Sequence, residues 1–215
     1  MDSVKIIVPG GLHTDIVASG VQRIAGPGEL ATGKELRIAP GGKSRNIAAM
    51  VAALTGPGTV AMIGKTAKDP FGLWRIPVDA LNAAGVDTKY VVIEEFKGKF
   101  PAVALIAVDE AGDNQIYVLP GINSEFSAAD IDAALPLFET AGKNSSLLVL
   151  SLELPLMTAL RAMEYAEQYG FRIILDPGGV EAGVDYSALL KKKIFLLKPN
   201  EHEAELLTGI AVVPS

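Results

Sequence analysis

The sequence predicts an α/β fold: a mostly parallel central sheet covered by helices on both faces, with a small β-flap standing off it. Three observations carry this. In the C-terminal half, continuous apolar runs (Leu147–Leu150, Arg172–Leu175, Ile194–Leu197) alternate with segments of helical period. Runs without polar alternation mark strands buried on both faces, as in parallel sheets. Each of these strands ends in a polar or acidic residue, namely Glu153, Asp176 and Asn200. Finally, residues 16–38 and 98–120 break the alternation with short β-prone pieces and turn residues, which assigns them to one flap inserted in a single 1–215 core.

In chain order, Val4–Val8 reads as a buried first strand, broken by Pro9-Gly10-Gly11, with Leu12-His13-Thr14-Asp15 following immediately at its carboxyl end. Open α/β sheets bind ligands at that edge. Within 16–38, Ile16-Val17-Ala18 and Leu36-Arg37-Ile38 flank Gly26-Pro27-Gly28-Glu29 and Gly33. Helix Ile47–Leu54 is stopped by Thr55-Gly56-Pro57-Gly58. Thr59–Ile63 is a strand, Phe71–Ala84 an amphipathic helix, and Tyr90–Ile93 a strand. Ala102–Val108 and Gln115–Leu119 flank Asp109–Asn114 in a hairpin pattern. Ala128–Phe138 is helical, as are Leu156–Tyr169, entered through Pro155 and stopped by Gly170, and Glu201–Leu207.

Composition narrows the function. Of the 215 residues, 49% are hydrophobic and 20% charged, as in globular proteins. A net charge of −6 argues against a nucleic-acid surface. The absence of cysteine excludes disulfides, thiolate catalysis and Cys-ligated metal. The start, Met1–Val8, has no basic region ahead of a long apolar run, and no run reaches membrane-spanning length, so a cytoplasmic location is expected.

The first stretch with chemistry is Pro40-Gly41-Gly42-Lys43-Ser44-Arg45-Asn46. Adjacent glycines let the backbone approach a ligand closely. Ser44 is the expected helix cap, with an apolar stripe at Ile47, Met50, Val51 and Leu54. Lys43, Arg45 and Asn46 then stand at a helix entrance, where free N–H groups suit a polyhydroxylated or anionic ligand. A plain Gly-Gly turn feeding a packed helix is the other reading. Right-handed crossovers would set Asp15, Glu153, Asp176 and Asn200 along one rim facing this loop. Each could also serve only as a turn former or cap, above all Asp176 before Pro177-Gly178-Gly179. The second stretch is Lys198-Pro199-Asn200-Glu201-His202-Glu203, whose Asn200 and Glu203 match a capping box.

Together the two stretches resemble the ribokinase-like (PfkB) carbohydrate kinases. The family has a Gly-Gly-Lys-Gly-x-Asn loop that holds the sugar and an Asn-x-x-Glu motif that organises magnesium and phosphate. The resemblance spans the chain in order: Asp15 after the first strand, Gly28-Glu29 in the flap, Gly41-Gly42-Lys43 with Asn46, Glu153, and Asn200 with Glu203. It implies a ribokinase-like three-layer α/β/α fold with the flap as a lid. It also implies ATP-dependent phosphorylation of a small sugar, polyol or nucleoside hydroxyl. His13, Asp15, Gly41, Gly42, Lys43, Asn46 and Glu153 would bind the substrate, and Asn200 and Glu203 the nucleotide side. ATP and Mg2+ are the implied cofactors, with a monovalent cation as a further candidate, and the partners are a sugar, a nucleotide and a second copy through the flap. No residue is assigned as a metal ligand.

The sequence departs from the family at three places. Ser44 and Arg45 replace small residues in the loop, leaving open whether Arg45 meets the ligand or faces solvent. His13 stands where ribose-specific members carry Asn. The Gly-Ala-Gly-Asp loop that supplies the family's anion hole and general base has no counterpart after residue 209, so the catalytic residue is unassigned and this 215-residue form is expected to be inactive. Glu110-Ala111-Gly112-Asp113 looks similar but falls in a hairpin turn with no helix behind it. A naturally truncated, non-catalytic ligand-binding or interaction protein is the alternative. A nucleotide-binding α/β protein of another kind ranks last, since neither a dinucleotide fingerprint nor a P-loop is present.

Overall fold

The computed structural model describes residues 4–142 and 146–211, so residues 212 to 215 at the end of the chain lie outside it. Six strands form a wholly parallel sheet: β1 (Ile6–Pro9), β4 (Val60–Ala67), β5 (Asp87–Glu94), β8 (Leu147–Ser151), β9 (Arg172–Asp176) and β10 (Ile194–Leu197). Their order is β10-β9-β8-β1-β4-β5. Alternate residues of each strand enter different cores. Ile7, Ala61, Ile63, Leu148 and Leu150 meet α3 (Ala128–Ala133), α4 (Leu135–Ala141) and α5 (Leu156–Gln168). Val8, Val60, Met62 and Val149 meet α1 (Lys43–Thr55) and α2 (Arg75–Ala83). Both faces of the middle strands are therefore covered, which explains their continuous apolar runs, whereas β10 at the edge leaves Phe195, Leu196 and Leu197 exposed. The fold is α/β in three layers, as the resemblance implies.

Phe138 sits at the centre of the first core, fully buried, with ring centroids 5.5 Å from Tyr165 and 5.6 Å from Phe171. Phe138→Ala should cost about 3–5 kcal/mol of unfolding free energy. Urea denaturation measures this, and a loss below about 1 kcal/mol would move the centre of the core elsewhere.

A second, four-stranded sheet has the order β3-β2-β6-β7, built from β2 (His13–Val21), β3 (Glu35–Gly41), β6 (Ala102–Asp109) and β7 (Asn114–Leu119). It joins the two segments that interrupt the β/α alternation through the parallel β2–β6 pairing. It also starts earlier than residue 16. His13-Thr14-Asp15 is the first part of β2, paired with β3 from His13↔Gly41 onward.

Three further local expectations change. The helix at 128–138 is two helices, because Pro136 lacks an N–H and its ring would strike the carbonyl of Asp132 in a continuous helix. Helix α2 begins at Arg75, because the Asp69 carboxylate accepts from Phe71 N and Trp74 N and holds that segment as a turn. On α1 the buried face is Ser44, Arg45, Ala48 and Ala52, whereas Met50 and Leu54 are 68% and 81% exposed. Small alanines let the helix approach the sheet closely, and the larger residues are turned outward. Among the described residues no helix is long and apolar enough to cross a membrane.

Candidate acceptor and nucleotide site

The Gly41–Asn46 loop lies where β3 of the small sheet runs into α1, the helix packed on the main sheet, so the loop bridges the two sheets. Gly41 is required by close approach, since a Cβ there would collide with the Asp15 carboxylate. Gly42 is required by conformation and space. It is the N-cap of α1 at φ 92°, and a Cβ would stand 2.8 Å from Gly11 O. Ser44 is not the cap. It lies one turn position inside the helix, buried, and its hydroxyl shares a 2.8 Å hydrogen bond with that of Ser151 at the end of β8.

Glu153, just beyond β8, accepts a 2.7 Å hydrogen bond from the backbone N–H of Lys43. The Lys43 ammonium is 3.8 Å from Glu203 on α7 (Glu201–Thr208), so Lys43 links the first stretch to the second. Asn200 caps α7 by accepting from Glu203 N at 2.8 Å, while the Glu203 carboxylate accepts from Asn200 N at 2.9 Å. Asp176 is occupied locally, accepting from Gly178 N at 3.0 Å, with Lys198 at 3.7 Å. The turn at 110–113 joins β6 to β7 and is held by Asp109, which accepts from Ala111 N and Asp113 N. It is a hairpin turn and opens no helix.

Asp15 differs from the other carboxylates. Among the described residues no group donates a hydrogen bond to it, although His13, Arg37 and Arg45 surround it. Burial pushes its pKa above the usual carboxylate value, opposed by those three groups. His13 is almost fully buried, which pushes its imidazole below its ordinary value against the pull of Glu153 and Asp15. It is accordingly neutral at pH 7, able both to donate and to accept.

His13 and Glu153 line a cleft of about 590 Å³. Val118 and Pro120 close it from the small sheet, and Gly179 and Val180 from the segment after β9. Asn123 also lines it, and sequence reasoning did not single that residue out. Its Nδ2 donates to Leu12 O at 3.3 Å, and its Oδ1 is buried with no partner among the described residues. A Gly-x-Asn tripeptide after a strand gives no signal strong enough to find it. Among the described residues no group of three or more His, Asp or Glu side chains is placed to hold a metal ion.

A ribokinase of Schizosaccharomyces pombe is 29% identical over 221 residues, covering 99% of this chain and 64% of its own length. A deoxyribokinase of Salmonella typhi is 32% identical over 185 residues, covering 86% of this chain and 56% of its own. The solved structure of Arabidopsis thaliana ribokinase complexed with ribose and ATP superposes with a TM-score of 0.80 at 26% identity, covering 97% of this chain and 64% of that one. The chain thus spans less than two thirds of the length of each. The sequence model of the pfkB family carbohydrate kinases matches residues 8–213, and the chain belongs to that family.

Proposed function

We propose that these 215 residues carry the acceptor-binding part of an ATP-dependent sugar kinase, acting on a pentose or a related polyol or nucleoside. The observation that carries this reading is the Asp15 carboxylate, which no donor among the described residues engages and which lies against a glycine that leaves it room. A desolvated carboxylate can accept from two sugar hydroxyls at once. Glu153, His13 and Asn46 add further hydrogen-bonding groups, and Gly41 and Gly42 keep the wall low. Phosphoryl transfer to a hydroxyl asks the protein chiefly for positioning and charge stabilisation. Asp15, Asn46 and Glu153 would hold the acceptor, and Lys43 would tie its loop to the nucleotide side.

ATP enters this reading through the Arabidopsis thaliana ribokinase complexed with it, and magnesium through the family resemblance. The fit of the described residues to magnesium is limited. Glu203 is already engaged by Asn200 N and faces Lys43, so the Asn200–Glu203 pair offers no direct ligand set. The pair would instead shape the start of α7 beside the phosphates.

We also assign the outer face of the small sheet to a second copy of the chain. Register puts Ile38, Ile16, Leu105 and Tyr117 in one row across the four strands. Leu36 and Leu119 lie on the same face, opposite to Asp15, and Leu36, Ile38, Leu105, Tyr117 and Leu119 are all exposed. An apolar sheet face of this kind marks an interaction surface. Sedimentation at about 10 µM should give twice the chain mass, and Leu105→Asp should give a monomer. A monomeric wild-type chain would refute the assignment.

A thermal-shift screen of D-ribose, 2-deoxy-D-ribose, hexoses, keto-sugars and nucleosides tests the acceptor reading. A ligand at a hundred times its Kd stabilises by about 2.7 kcal/mol, which is about 5–10 °C for a chain of this size. No shift with any of them would contradict the reading.

A further inference from the structure

Arg45 is the family's small loop residue replaced by a cation, and the fold buries it to 7% exposure. Its Nε is buried with no partner among the described residues, and its Nη1 donates to Asn46 Oδ1 at 3.1 Å. The opposing charge it feels is the Asp15 carboxylate across the loop, and burial itself disfavours its charged form. Buried charges are costly unless their donors are used. Here the one side-chain bond goes to a neutral amide, and that amide belongs to the next residue of the loop.

We propose that Arg45 is a positioning residue that fixes which edge of the Asn46 carboxamide faces the acceptor. Arginine has five donors and no acceptor, so only the carbonyl edge of an amide can face it. The Asn46 amide is therefore locked with Oδ1 against Arg45 and Nδ2 turned away, free to donate. The acceptor group opposite Asn46 must then present a lone pair, as a hydroxyl or carbonyl oxygen does, and a deoxy position there would lose the contact. The neighbouring charges do not compete for the amide. Among the described residues the Asn46 amide makes no side-chain hydrogen bond other than the one from Arg45. This inference rests on the reading of the Gly41–Asn46 loop as part of an acceptor site.

Its test has two arms. Side-chain ¹⁵N relaxation on the 215-residue chain should find the Asn46 amide as ordered as the backbone, and loose in Arg45→Ala. Equal order in both proteins would overturn the inference. If Arg45→Ala fails to fold, Arg45→Gln, which keeps a donor without charge, should keep the amide ordered, and a loose amide there would overturn it. In the second arm, calorimetry with D-ribose should show about a tenfold loss of affinity in Arg45→Ala. In an Asn46→Ala background the same change should cost less than about threefold, because both act through one group. A full tenfold loss in that background would overturn the inference, since Arg45 would then act without Asn46. Absence of sugar binding by the wild type would refute the acceptor reading, while the relaxation arm still decides the Arg45–Asn46 coupling.

Discussion

Asp15→Asn is expected to lower sugar affinity by about tenfold to a hundredfold while leaving the fold at least as stable. Hydrogen bonds to a charged partner are worth about 1.5–3 kcal/mol, and the amide can accept at one atom only. The stability half follows from the direction of the pKa shift. Asp15 is raised in the folded chain, by burial first. A raised carboxylate stabilises fully below its unfolded value, and that contribution is lost as pH rises through the folded one. At neutral pH the wild type therefore bears the burial of a charge that Asn does not. Thermal melts at pH 7.5 should show Asp15→Asn melting no lower than wild type, with a smaller difference at pH 4. His13 works with the opposite sign. Its pKa is lowered by burial, so its contribution is present above the ordinary imidazole value and lost as pH falls below it. A melting temperature several degrees below wild type, or unchanged sugar affinity by calorimetry, would show that Asp15 is structural.

The polypeptide of these 215 residues is expected to transfer phosphate from ATP at close to the background rate. In the proposed reading the groups gathered around Gly41–Asn46 would bind and orient the acceptor. None is a base held next to a helix-entrance anion hole, and the Gly112-Asp113 turn, the nearest match in sequence, lies in a hairpin. General-base assistance contributes about 10²–10⁴-fold, and one anion-hole donor about 10²–10³-fold. A coupled assay of ADP release with the responsive sugar checks this. It should be run beside a polypeptide extended to the length of the ribokinase relatives, if the gene encodes one. Turnover above about 1 s⁻¹ by the 215-residue chain would mean that a base lies among the residues described.

The parallel sheet was legible because burial on both faces leaves a mark that composition cannot disguise, as in Leu147–Leu150. The capping box of Asn200 and Glu203 was legible because it is local. What was hidden depended on partners distant in sequence. Nothing in His13-Thr14-Asp15 predicts a strand, since three polar residues open it, and only its seven-residue register with β3 makes it one. Ser44 has the chemistry of a cap, but Ser151, 107 residues away, takes its hydroxyl. The stripe through Met50 and Leu54 has helical spacing, yet a stripe of alanines on the same helix allows a closer approach to the sheet. Arg45 reads equally well as solvent-facing until the fold closes over it. Asn123 joined the cleft from a short connection with no periodicity at all.

The central claim is that an acceptor sugar sits between Asp15 and the Gly41–Asn46 loop. Titrating D-ribose, or the most stabilising sugar of the screen, into ¹⁵N-labelled protein tests it most directly. The account predicts that the largest amide shift changes fall on Asp15, Gly41, Gly42, Lys43 and Asn46, with smaller ones near Glu153 and Asn123. Saturable binding that moves other amides and leaves these five in place would contradict it.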